Sequence, residues 1–237
     1  MEKNSLSKDI KFALEKSMAI MPSYIVLGMG FGVMMSDAGY SWIWPVLMSV
    51  AIFGGSLQFA AVGLLSSGAS VLTTAIITLT IHARQFIYSL SMLDRYKGMG
   101  KLKLYLIYGL VDESYSLVSS DSIIPKNVNK KPYYVFVTLF DQIWWVIGCA
   151  AGGLLGPIIP FDTTGIDFAM TALFVVLLLE QILNNKERRP AYLGIGVTFL
   201  SLLIFGEEIF LIPAIIVITF VLVMLRGKIK IEEEGEE

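Results

Sequence analysis

Charged positions are spread unevenly along the chain, and the gaps between them predict its architecture. No charge falls between Ser17 and Ser36, and none between Ala38 and Ile81. Gln142 to Phe161, Phe168 to Leu179, Pro190 to Gly206 and Ile209 to Leu225 are uncharged as well. A membrane-crossing helix needs about 20 apolar residues. The pattern therefore predicts spans at 18–36, 42–66, 70–92, 105–120, 133–156, 165–184, 190–206 and 208–226. The fourth is short and holds Asp112 and Glu113, and Glu207 and Glu208 are expected to form a tight exposed turn between the last two. The expected fold class is an all-α integral membrane protein of seven or eight transmembrane helices.

Composition agrees with this reading. Of 237 residues, 55% are apolar and 16% are charged, against about 25% charged in soluble proteins, and the mean hydropathy is +0.70. The helices use up nearly the whole chain, so a single transmembrane domain is expected over 18–226, with an interfacial or cytoplasmic segment at 1–17 and an acidic cytoplasmic tail at 227–237. The first apolar stretch is longer than a signal core and has no small-x-small cleavage site, so it is read as a retained span. Lysines and arginines precede span one (Lys3, Lys8, Lys11, Lys16) and span five (Lys126, Lys130, Lys131), and follow span six (Lys186, Arg188, Arg189) and span eight (Arg226, Lys228, Lys230). The positive-inside rule then puts both termini in the cytoplasm. Arg95, Lys97, Lys101 and Lys103 conflict with that orientation, unless spans three and four are partial or re-entrant. A net charge of −2 with no long basic patch gives no footing for nucleic acid. One cysteine, Cys149, and one histidine, His82, exclude a disulfide framework and a multi-histidine metal site. With no P-loop and no H-E-x-x-H motif, neither an enzyme, a cofactor nor a metal is expected. A two-fold repeat is expected between 30–58 and 152–181, each a glycine-rich helix end, a loop containing Asp (Asp37, Asp162) and a span ending near Gln (Gln58, Gln181).

Polar groups at membrane depth are costly and mark pathways, and three clusters stand out. Gly54 and Gly55 weaken a helix and bare its backbone, while Ser56 and Gln58 add side-chain donors and acceptors, so a broken helix is expected to bind the charged ends of an amino acid. The glycines at 28, 30 and 32, and at 152, 153 and 156, read instead as close helix packing. The second cluster is His82, Arg84 and Tyr88. Arg84 must find an acid, a substrate carboxylate or the interface, and His82 is either a proton relay or a hydrogen-bonded core residue. In the third, Tyr105, Tyr108, Asp112, Tyr115 and Ser119 recur at helical spacing and form one stripe opposite Leu106, Leu110 and Leu117. That stripe lines a solvated path or faces water at an interface. Asp112 or Glu113 would couple a proton. Asp112 and Asp141 are the candidate ion-pair partners of Arg84, and Phe53, Phe59 and Phe86 would accept an apolar substrate side chain. Trp144 and Trp145 read as interfacial anchors.

These residues carry a resemblance. Pro22, Gly28, Gly30, Phe31 and Gly32 in the first span come before Gly54-Gly55-Ser56-x-Gln58. Ala83-Arg84 before Tyr88, Asp112-Glu113 with Tyr115, and Gly165-Ile166-Asp167-Phe168-Ala169 leading to Leu173-Phe174 follow in order. The chain resembles the AzlC-type family, the large subunit of branched-chain amino-acid exporters, from about residue 12 to 225. It departs from the common pattern at His82 and Gln85, where the family usually has Asn and His. The resemblance implies a protein of the bacterial or archaeal cytoplasmic membrane. It also implies export of leucine, isoleucine and valine, and a small AzlD-type partner of about four spans. A channel or importer for another small solute, or a scaffold subunit whose partner carries transport, are the other readings of the same residues.

Overall fold

The computed structural model describes residues 2–119, 124–158, 188–206 and 210–225, together with Val175, Leu179 and Ile182. Within these the chain forms ten helices and no strand. It divides into two compact units, Met1–Asp167 and Phe168–Glu237.

The first unit holds α1 (Glu2–Met18), α2 (Met21–Asp37), α3 (Ile43–Ala51), α4 (Gly55–Ser66), α5 (Val71–Met92), α6 (Leu102–Tyr108), α7 (Asp112–Val118) and α8 (Lys130–Leu155). Its central element is α8. At 26 residues it is about 39 Å long at 1.5 Å per residue, and among the described residues it alone is long and apolar enough to cross a membrane by itself. Helices α1 and α2 meet that test only as a pair, bent by 59°. Pro22 suits the start of α2 because its missing N–H falls where no helical partner exists. Ser70 caps α5 by accepting the Thr73 amide at 3.1 Å.

Packing around α8 is of two kinds. Against α2 it is backbone on backbone. A Cβ on Gly28 would lie 3.0 Å from the Cys149 nitrogen, and one on Gly148 would lie 2.7 Å from the Ile25 carbonyl oxygen. The sequence expectation of close packing holds at Gly28, Gly32 and Gly152, each set against main chain of the facing helix, and Gly148 adds to it. On the other side, Met92, Tyr96, Leu106, Leu110, Val118, Tyr133, Tyr134 and Val137 form one buried apolar cluster. Helix α1 does not simply lie at an interface. It buries Asp9, Ala13 and Ser17, four residues apart on one face, in contact with α8. Asp9 accepts the Asn129 backbone N–H and Nδ2 at 3.0 Å each, satisfying an orphan donor at the start of α8.

Two predicted spans are interrupted. The second breaks at Ile52-Phe53-Gly54, between α3 and α4, as the paired glycines suggested. Phe53 takes φ +40, the only non-glycine residue among those described with positive φ, and is 2% exposed. This is a strained backbone in a sterically unfavourable region. The fourth is not one helix. It is α6 and α7, seven residues each, about 10 Å apiece, joined by Gly109-Leu110-Val111 with Val111 extended. Its apolar stripe does not face outward either, since Leu106 and Leu110 are buried in the core cluster. The outer face of α5 is apolar, with Val71, Leu72, Leu79, Phe86 and Leu90 exposed. A continuous apolar face of this kind suits lipid better than water.

The second unit holds α9 (Arg189–Phe205) and α10 (Leu211–Leu225), which pack on each other. Apart from Val175, Leu179 and Ile182, the predicted span at 165–184 lies outside the described residues, as do most of the second half of the proposed repeat, the Gly165–Phe174 motif, Gln181, Glu207, Glu208 and the acidic tail.

Candidate functional site

The two helix breaks lie together. At one end the Tyr108 hydroxyl, last residue of α6, donates to the Val50 carbonyl in the last turn of α3. That carbonyl is one of the orphan acceptors a helix end leaves. The Phe53 and Tyr108 rings are 6.4 Å apart. At the other end, α4 and α7 restart, and Arg84 from α5 joins them. Its Nη1 lies 2.9 Å from Asp112 Oδ2 at the first position of α7, and its Nη2 donates to Ser56 Oγ in the first turn of α4 at 2.5 Å. One guanidinium fork thus ties the starts of both restarted helices, which suits its planar, multi-donor geometry. The Arg84 and Asp112 side chains are 31% and 19% exposed, so the pair is partly wetted. The other carboxylate oxygen, Asp112 Oδ1, is buried and has no hydrogen-bond partner among the described residues.

Supporting residues converge on this bridge. Gly55, Ser56 and Leu57 head α4 and have no helical acceptor for their amides, the first ladder bond there being Gln58 to Gly54 at 2.9 Å. A helix N-terminus with free amides favours negative charge. Gly54 is extended, and a Cβ there would lie 2.8 Å from His82 Cε1. His82 Nδ1 in turn pairs with Gln85 Oε1 one turn along α5. Tyr88 lies beside Asp112 and stacks on Tyr115, with centroids 4.4 Å apart and rings 12° from parallel. Tyr105 donates to Gln142 Oε1 at 3.0 Å, and Gln142 Nε2 donates to Tyr108 at 3.4 Å.

The predicted residues are therefore largely brought together: Gly54, Gly55, Ser56, His82, Arg84, Tyr88, Tyr108, Asp112 and Tyr115. The others stand differently. Gln58 is fully buried, its Oε1 accepts from Trp145 Nε1 at 2.7 Å, and its Nε2 has no partner among the described residues. Glu113 turns to the far side and accepts from the Tyr24 hydroxyl at 2.9 Å. Asp141 does not pair with Arg84. It sits near the middle of α8, fully buried, and accepts from Ser17 at 2.6 Å and from Ser114 at 2.8 Å. Phe86 is 71% exposed and does not line the site. It is two residues from Arg84, and so roughly 200° around the helix. Trp145 is buried rather than interfacial, edge-on to Tyr24 at 5.5 Å. Trp144 donates to Ser17 at 3.0 Å.

Sequence reasoning missed Tyr24, Gln142, Ser17 and Ser114. Tyrosine, glutamine and serine inside uncharged runs were the available signal. Their partners, however, lie far away in the chain, and no local spacing reveals them.

Residues 19–159 match the family described as AzlC protein. A protein of Bacillus subtilis (strain 168) named "Branched-chain amino acid transport protein AzlC" is 41% identical over 214 residues, covering 90% of this chain and 84% of that one. A protein of Haemophilus influenzae, described as an uncharacterized membrane protein, is 38% identical over 233 residues, covering 98% of this chain and 95% of its own length. The inner membrane protein YgaZ of Escherichia coli (strain K12) is 24% identical over 177 residues, 72% of each chain. No solved structure matches the chain.

Proposed function

The chain belongs to the AzlC family, and on that footing we propose that it is the membrane subunit that exports leucine, isoleucine and valine by proton-coupled secondary transport. It works as a transporter rather than an enzyme, with a small AzlD-type four-helix subunit. It resides in the cell membrane with seven or eight crossings and both termini cytoplasmic. The name of the Bacillus relative supports the substrate class.

The Arg84 bridge carries the reading. An amino acid at neutral pH is a zwitterion, and an internal ion pair is its charge complement. The substrate carboxylate takes the place of Ser56 and Asp112 on the guanidinium and faces the free amides of α4. The ammonium takes Asp112, whose Oδ1 is buried without a partner among the described residues. Total charge at the site is unchanged by the exchange, so no isolated charge is left in a low-dielectric region, where it would be expensive. Binding loosens the tie between α4 and α7, and broken helices that rearrange around a central site are a recurring basis of alternating access. Phe53 lies at the break beside the Tyr108 ring, 2% exposed, and becomes apolar surface for a branched side chain as the tie between α4 and α7 loosens. Asp112 or Glu113 supplies the coupling proton site at the start of α7. Reversible protonation there would tie efflux to a proton gradient.

Efflux of valine and leucine from dipeptide-loaded bacteria lacking their own exporters tests this. The chain is expressed with and without the small subunit. Faster efflux is expected with both subunits present, and its loss with Arg84→Ala in a chain still found in the membrane. Unchanged efflux on expression of both subunits would overturn the assignment.

A further inference from the structure

Among the described residues of the first unit, Asp141 is a carboxylate buried at mid-helix whose partners are hydroxyls. Its two oxygens accept from Ser17 on α1 and Ser114 on α7, and Ser17 also accepts from Trp144. No cation faces it. The titratable groups turned towards it are Glu113 from α7, Tyr24 from α2, Tyr105 from α6 and Tyr133 on α8 itself, and α1 contributes Ser17. An ionisable group at membrane depth without a counter-charge is a marker of function. The partner chemistry narrows that function. Arginine can satisfy only the ionised form of a carboxyl group, because it donates and cannot accept. A serine hydroxyl does both. With a hydroxyl on each oxygen, the pocket can hold the carboxylate, which accepts two bonds, or the acid, which donates one and accepts one.

We propose that Asp141 is a proton-binding site, and that its protonation is transmitted through Ser114 to α7 and through Ser17 to α1. The step is a simple proton transfer. Asp141 carboxylate and hydronium give the carboxylic acid and water, and one serine hydroxyl rotates from donor to acceptor. Ser114 is two residues from Asp112 in the same short helix, so a changed bond at Ser114 acts on the helix start that Arg84 holds. This rests on the transport reading, to which it adds a site where the coupling proton is held apart from the substrate's ion pair.

The test needs no substrate. The full-length chain in lipid nanodiscs is titrated between roughly pH 8 and pH 5, the range that spans most perturbed carboxyl groups. Infrared difference spectra follow the carbonyl stretch of a protonated carboxyl, and indole fluorescence follows the four tryptophans, of which Trp144 is bonded to Ser17. In the wild type the band is expected to appear in step with a change in emission, and both are expected to be lost in Asp141→Asn. Ser114→Ala keeps the band but displaces its midpoint by about one pH unit, the equivalent of one hydrogen bond to a charged group. A band and emission change that persist in Asp141→Asn would overturn the proposal. If that variant does not fold, an unmoved midpoint in both Ser114→Ala and Ser17→Ala overturns it equally. Loss of the transport reading shows elsewhere, as wild-type protein that displays the titration but moves no amino acid.

Discussion

Two glycine-lined contacts in the first unit make opposite uses of the same residue. Where α2 crosses α8, the space each glycine leaves open is filled by main chain: Gly28 meets the Cys149 nitrogen and Gly148 the Ile25 carbonyl. Where α4 restarts, the neighbours are side chains: Gly54 meets the His82 ring and Gly55 the Trp145 ring at 3.1 Å. Backbone in a helix cannot yield without breaking its ladder, whereas a side chain can turn. The α2–α8 contact is thus a fixed crossing, and the α4 start is a joint with freedom to move. Polar chemistry follows the same division. Across the fixed crossing the backbones approach through small residues. The joint is held by one half-wetted guanidinium between a hydroxyl and a carboxylate. A transporter needs both, a frame and a part that moves against it.

Substitutions sharpen the contrast, beginning with the largest effect. Gly152→Leu places its Cβ within 2.7 Å of the Met29 main chain. It is expected to cost about 3 kcal/mol or more and to abolish recovery of monodisperse protein in size-exclusion chromatography. Gly54→Ala meets only the His82 ring edge at 2.8 Å, which can swing aside. It should leave yield and melting nearly unchanged yet slow efflux by roughly fivefold, equivalent to about 1 kcal/mol on the barrier. Equal losses of folding in the two variants would erase the distinction between frame and joint. Phe86→Ala, on the exposed side of α5, is expected to alter efflux by less than about twofold, as surface substitutions generally do.

How much of this was legible in the sequence differs between the two breaks. Adjacent glycines in a long uncharged run announce the break at Gly54, because two glycines together weaken a helix, although the positive φ falls on Phe53, one residue before them. The break at Gly109 is hidden. Tyr105, Tyr108, Asp112 and Tyr115 keep helical spacing across it, so periodicity reads one helix where the structure has two of seven residues each. Arg84 was recognisable as a charge in need of a partner, and Asp112 was among its candidates. The choice between Asp112 and Asp141 was not recoverable, because it depends on two serines 124 and 27 residues from Asp141. Serine is common in membrane helices and does not signal its partner. Phe86 was not decided by counting, since it lies roughly 200° around the helix from Arg84 but only four residues, on the same face, from His82.

The most direct measurement of the central claim is leucine binding to the purified full-length chain with its small subunit, compared among wild type, Arg84→Gln and Asp112→Asn. Asp112→Asn is nearly isosteric and Arg84→Gln leaves a shorter neutral polar side chain, and each removes one charge of the pair. If the ion pair is the receptor for the zwitterion, each variant should bind leucine at least about tenfold more weakly, a loss of about 1.4 kcal/mol, with melting temperatures within a few degrees of wild type. Wild-type affinity in both variants would contradict the account and move the substrate site away from the joined helix breaks.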